Sequence, residues 1–155
     1  MPHQLEAPKP EGQEARLRAV MEFLERWEGY RSKAYPDGPR WSIGFGTKSF
    51  EGEVISREEA ERRKLRVLLR LDTRVTADVD WLSLNQYVAL VSFIYNVGEG
   101  AYRRSTLRRK LLAKDCRGVA EEFTRWVRVE GEVNYGLKRR RQEEAAKFRG
   151  DCREK

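Results

Sequence analysis

Apolar residues recur at helical spacing near the start of the chain. Leu17, Val20, Met21, Leu24 and Trp27 follow one face of a 3.6-residue period, which predicts an amphipathic helix over 14–27. Gly29 stands where a helix commonly ends in the left-handed region. The next segment, RSKAYPDGPRW, carries Pro36-Asp37-Gly38-Pro39, a turn signal. WSIGFGT (41–47) then alternates, with Trp41, Ile43 and Phe45 on one side and Ser42, Gly44 and Gly46 on the other. That alternation predicts a strand, with a short partner near Glu53–Ile55. Ser56 with Glu59, and Ser83 with Gln86, have the spacing of capping boxes. The first opens a charged helix to about Leu71. The second opens LNQYVALVSFIYNV, apolar nearly all round and therefore a buried central helix. Gly98 and Gly100 break it. STLRRKLLAK (105–114), GVAEEFTRWV (118–127) and YGLKRRRQEEAAKF (135–148) predict three further helices. The sum is an α+β fold, mainly helical, with one small N-terminal β-sheet.

Composition narrows this picture. Residues 1–13 contain Pro2, Pro8 and Pro10 and few apolar positions, so they read as a flexible tail. Residues 14–150 read as a single domain and 151–155 as a C-terminal tail, since 155 residues leave little room for a second unit. The longest apolar stretch is about a dozen residues and contains Ser92 and Asn96, short of the ~18 that span a bilayer. The N-terminus lacks the basic start and apolar core of a secretory signal. The charge is uneven. Positions 1–100 hold 15 basic and 16 acidic residues, whereas positions 101–155 hold 17 basic and 9 acidic. The C-terminal third thus carries the excess, and such a face attracts polyanions.

The residue counts also exclude chemistries. The one histidine is His3, in the tail, which argues against a Ser-His-Asp triad, a Cys-His pair or a histidine-bearing zinc site. Two cysteines cannot build a four-thiolate site. No metal or cofactor is expected. Cys116 and Cys152 are close enough in number to pin the C-terminal tail, but in a reducing cytosol free thiols are the expected state.

Glu28 extends the apolar stripe of the first helix, since Leu17, Met21, Leu24 and Glu28 are spaced i, i+4, i+7 and i+11. Burial and the C-terminal end of the helix dipole both disfavour its charge, so its pKa is expected to rise. A carboxyl protonated near neutrality is what a general acid requires. Fraying outward, or pairing with an arginine, are the alternatives. Asp37, in a turn between two prolines, is expected to be solvated. Alone it is a turn residue. Beside a raised Glu28 it completes the two-carboxylate arrangement of glycosidic cleavage. The Ser42/Gly44/Gly46 face offers an extended polymer a nearly bare backbone, or else marks a tight approach to another backbone.

These residues resemble a known family. EGYRSKAYPDGPRWSIGFGT (28–47), NQYVALVSFIYNVGEGAYRRSTL (85–107), EEFTRW (121–126) and GLKRRRQEE (136–144) are similar, in order and separation, to the segments of the phage-type lysozymes, glycoside hydrolase family 24. The resemblance covers roughly 15–148. It implies two lobes flanking a cleft, and hydrolysis of the β-1,4 bond between N-acetylmuramic acid and N-acetylglucosamine in peptidoglycan, with inversion. It implies that Glu28 protonates the leaving oxygen, that Asp37 assists the attacking water and that Ser42 helps position it. Lys48, Tyr95 and Thr106 are implied to face the cleft as substrate-binding residues, although Tyr95 also suits a core position. Trp126, like Trp27, Trp41 and Trp81, is read as packing. Three positions depart from the family pattern. Ser42 replaces the usual Thr, the Asp37–Ser42 interval is one residue shorter, and Thr47 stands where many members have His.

Two other classes fit part of the chain. RRSTLRRK (103–110) and KRRR (138–141) suit a basic nucleic-acid-binding module, and the basic C-terminal helix suits a membrane-perturbing protein. Neither accounts for a carboxylate on an apolar stripe. The expected partner is bacterial peptidoglycan, with anionic wall polymer or lipid contacted through the basic lobe. Nucleic acid is not an expected partner, and a monomer is. The resemblance places the protein in the host cytoplasm, reaching the wall through a pore made by another protein.

Overall fold

The computed structural model describes residues 12–153. His3 and the first eleven residues of the expected tail lie outside the described residues, and Gln13 already belongs to the first helix. In chain order the elements are α1 (Gln13–Leu24), β1 (Arg31–Asp37), β2 (Arg40–Gly44), β3 (Thr47–Ser49), α2 (Arg57–Asp78), α3 (Leu84–Val97) and α4 (Glu99–Arg103). They continue with α5 (Thr106–Leu112), α6 (Cys116–Phe123), β4 (Arg128–Val129), β5 (Glu132–Val133) and α7 (Tyr135–Arg149). The fold is α+β and lysozyme-like: a three-stranded antiparallel sheet in order β1-β2-β3, with helices before and after it.

α3 is the centre of the core. Every residue from Gln86 to Ile94 is buried, and α1, α2 and α7 pack around it. Its start is fixed by the complete Ser83/Gln86 capping box. At Ser56 only half of the box forms. The serine accepts from the Glu59 N–H, while the Glu59 carboxylate turns to Arg62 and Arg63. α2 runs on to Asp78, seven residues past the expected end, because its inward stripe continues through Leu71, Asp72 and Val75. Asp72 is accommodated there by donors from Arg16, Gln13 and the Tyr87 hydroxyl.

The sheet departs from the expected single strand over 41–47. Gly44 and Gly46 take positive φ of 64° and 87°, which breaks the alternation into a hairpin, β2 and β3. RSKAYPD, read as the approach to a turn, forms β1, and its N-terminal half meets the expected Glu53–Ile55 segment only through a Lys33–Val54 bridge. The bare-backbone face does not line a cleft at Gly44, where an added Cβ would come 2.9 Å from Ala60 Cβ on α2. The glycine marks a close approach instead. A short α4 and the hairpin β4-β5 also lie where loops were expected.

The expectation of free thiols is overturned. Cys116 and Cys152 form a disulfide that ties the start of α6 to the segment after α7, across a separation of 36 residues. Closing a loop of that length removes unfolded-chain entropy worth about 3–4 kcal/mol. Reduction, or Cys152→Ser, should therefore lower Tm by roughly 6–16 °C, at about 2–4 °C per kcal/mol. Thermal denaturation followed by circular dichroism with and without reductant checks this, and coincident curves would contradict it.

Candidate active site

Glu28 lies just beyond α1. Its N–H still donates to Leu24 O at 3.0 Å, so the chain keeps one more helical turn and the carboxyl stays on the inward stripe. The side chain is only 13% exposed. One wall around it is the turn between β2 and β3. An added Cβ at Gly46 would stand 3.4 Å from Glu28 Oε1, so glycine lets that backbone run alongside the carboxyl. The Tyr95 hydroxyl, from α3, donates to Phe45 O at 2.6 Å and pins the same turn.

The second wall is α7. Arg140 Nη1 donates to Glu28 Oε2 at 2.9 Å. Pairing with an arginine was the alternative to a buried acid at this position, and both features are present together. Arg140 is held in place by Glu144 at 3.2 Å and by the Ser92 carbonyl at 2.9 Å. Glu144 in turn accepts from Ser92 Oγ and lies 2.8 Å from Arg141 Nε, all of it buried. Burial pushes the Glu28 carboxyl above the usual glutamate range, and it outweighs the opposing pull of Arg140 and the weaker pull of Lys64. Its phenol neighbours are raised as well. Burial is the main cause at Tyr95, and at Tyr35 burial is reinforced by the Asp37 charge.

Asp37 closes β1, opposite Arg40 across the Gly38-Pro39 turn. Ser42 Oγ donates to Asp37 Oδ2 at 2.7 Å, so the short interval between them brings the two together. Ser42 itself is 3% exposed. Glu28 and Asp37 line one open cavity of about 890 Å³, together with Trp27, Trp126, Leu137 and Arg140. Its rim is basic, with Arg26, Arg125, Arg128 and Arg139.

The other expected residues are placed less centrally. Thr106 lines a neighbouring hollow of about 610 Å³ that shares Arg125 and Trp126 with the main cavity. Lys48 is exposed on β3 opposite Ser42 and does not line the main cavity. The Tyr95 hydroxyl is engaged by Phe45, as above. Trp126 packs on Phe93, ring centres 5.4 Å apart, but it and Trp27 also face the cavity, so they are more than packing. Arg140 was missed. The signal was present: Arg140, Arg141 and Glu144 occupy the same inward stripe as Ala145 and Phe148. Among the described residues no three His, Cys, Asp or Glu side chains cluster in a way that could hold a metal ion.

The phage lysozyme family profile matches residues 25–144, a span containing Glu28, Asp37, Ser42 and Arg140. The chain belongs to the phage lysozyme family. Its chemistry is accordingly that of a lysozyme-type glycoside hydrolase. It is 38% identical over 142 residues to the endolysin of Bacillus phage B103, covering 84% of this chain and 52% of that protein. It is also 38% identical over 137 residues to the endolysin of Acyrthosiphon pisum secondary endosymbiont phage 1, covering 81% of this chain and 92% of that one. The chain thus spans about half the length of the first relative and nearly all of the second. Among solved structures, the muramidase domain of SpmX from Asticaccaulis excentricus superposes with a TM-score of 0.73 at 31% identity, covering 84% of this chain and 95% of that one.

Proposed function

We propose that the chain acts as an endolysin that hydrolyses the β-1,4 bond between N-acetylmuramic acid and N-acetylglucosamine in bacterial peptidoglycan. The observation that carries this reading is a buried Glu28, its pKa pushed up by burial, sharing one cavity with Asp37, which Ser42 holds by a hydrogen bond. Glu28 gives its proton to the glycosidic oxygen as the bond to the sugar C1 breaks. The carboxylate left behind accepts from Arg140 Nη1, which is already in position to stabilise it. A water attacks C1 from the opposite face. Asp37 takes its proton, while the Ser42 hydroxyl, donating to Asp37, keeps its lone pairs for that water. On this scheme the configuration at C1 inverts. Hydrolysis leaves a new reducing end on N-acetylmuramic acid. Borohydride reduction of digested walls followed by mass spectrometry should find reduced muramic acid at chain ends. Anhydro ends, or reducing ends on glucosamine alone, would contradict the proposed bond and chemistry.

The basic rim supports a division of labour. Arg26, Arg125, Arg128 and Arg139 line the cavity, and the last three belong to the positive surplus of positions 101–155. Such charges attract an anionic wall through a salt-screened term. Raising ionic strength should weaken sedimentation of the enzyme with walls more than it slows cleavage of a neutral chitooligosaccharide. Equal losses would remove the rim from the account. Peptidoglycan is the proposed partner, and a monomer suffices for this scheme. Among the described residues no helix is long and apolar enough to cross a membrane. Action from the cytoplasm, with access to the wall through a pore made by another protein, belongs to the same proposal.

A further inference from the structure

The inward stripe of α2 carries a cation. Its buried positions include Ala60, Lys64 and Leu68, and Lys64 is 8% exposed. Ala60, one turn earlier, is the residue that Gly44 approaches, so this stretch of α2 seats the β2–β3 turn. Phe45 lies in that turn, and Lys64 Nζ sits 4.7 Å from the centre of its ring. Gly46, the next residue, runs alongside the Glu28 carboxyl. Lys64 therefore comes into the acid's surroundings from α2 by way of the β2–β3 turn, whereas Arg140 from α7 bonds the acid directly. Among the described residues Lys64 has neither an ion pair nor a hydrogen bond; its ammonium lies over the face of Phe45, and Glu28, Glu25 and Glu61 act on it at longer range. A buried ammonium on the face of Phe45, one residue along the turn from the glycine that borders Glu28, acts on that carboxyl through space.

Resting on the reading of Glu28 as the general acid, we propose that Lys64 is a positioning residue for it, an unpaired cation that together with Arg140 sets the upper pH limit of catalysis. A nearby positive charge favours the ionised carboxylate, and burial opposes it. Lys64 and Arg140 are the two cations that pull the Glu28 proton off more easily. Tyr35 on β1 and Tyr95 on α3 also face Glu28, but both phenols are pushed up and stay neutral through the working range. Asp37 shares the cavity from the end of β1. Lys64 itself is pushed down by burial and by Arg57, and held up by Glu28, Glu25 and Glu61.

The sign is definite. A general acid works while protonated, so activity falls as pH rises through its titration. Removing Lys64 lets Glu28 keep its proton to higher pH, and the falling limb of kcat/KM moves upward.

The test is the pH profile of kcat/KM on a neutral chitooligosaccharide, which keeps wall attraction out of the reading. Lys64→Met retains a flexible apolar side chain over Phe45. Its falling limb should lie at higher pH than in the parent, with several-fold more activity retained on the alkaline side. Lys64→Arg, which restores the charge, should return the limb towards the parent position. Lys64→Gln carries the same expectation as Lys64→Met should the latter fail to fold. A folded neutral variant with an unmoved limb overturns the proposal. Glu28→Gln is run alongside. If it keeps the parent's activity and falling limb, the reading of Glu28 itself fails and the role of Lys64 goes with it.

Discussion

Glu28→Gln should reduce the initial rate of peptidoglycan clearing by about 10³-fold, within the 10²–10⁴ that a positioned general acid contributes. Gln keeps the shape and a hydrogen-bond acceptor for Arg140 but has no proton to give the leaving oxygen. The substitution should not cost stability. A carboxyl whose pKa is raised on folding binds its proton more tightly in the folded chain than in the unfolded one. Its contribution to stability is therefore lost as pH rises from the ordinary glutamate range through the raised value. Replacing it by a neutral amide removes that loss, so at neutral pH the variant should unfold at or above the parent's denaturant midpoint. Inactivity with retained stability separates a chemical role from a structural one. An active Glu28→Gln, or an unfolded one, would contradict the assignment.

Glu144→Ala should have the largest effect on stability, at about 3–5 kcal/mol, the cost of stripping one partner from a buried ion pair. Glu144 and Arg141 are fully buried, and Arg140 is nearly so. Deleting the carboxylate leaves the buried Arg141 without its counter-charge, Arg140 with Glu28 as its one remaining acidic partner, and Ser92 Oγ without its acceptor. Burial already pushes Arg141 down to about 10, so the position disfavours a cation that lacks its partner. Activity should fall as well, because Arg140 then has only the Ser92 carbonyl and hydroxyl to orient it towards Glu28. Urea denaturation measures the loss. A change below about 1 kcal/mol, the range of exposed pairs, would mean that the cluster is not the anchor of α7.

Much of this was legible in the sequence, for identifiable reasons. α3 was, because an all-round apolar run with a capping box at its start has few other outcomes. Glu28 was legible as a carboxylate on an apolar stripe, and Asp37 with Ser42 as a turn followed by a strand. The hairpin was not, because alternation over 41–47 looks the same whether the chain runs straight or reverses at Gly44 and Gly46. Only φ distinguishes the two. Arg140, Glu144 and Lys64 were hidden for a common reason. A charge run reads as a solvated face, yet each of these lies at the stripe position of a helix whose apolar residues pack inward. The test that singled out Glu28, a charge at an apolar period, would have found all three. The disulfide was missed because redox compartment was weighed above proximity, and the folding of α7 back onto α6 brings Cys152 to Cys116.

The central claim is that Glu28 holds its proton under working conditions despite its bond to Arg140. Its direct measurement is the carbon-13 chemical shift of the Glu28 side-chain carboxyl followed through a pH titration in the folded protein, with Glu28→Gln used to assign the signal. The account predicts a midpoint above that of an ordinary glutamate, coinciding with the falling limb of kcat/KM. A midpoint at or below the ordinary glutamate range would mean that Arg140 wins over burial, and that Glu28 cannot be the acid.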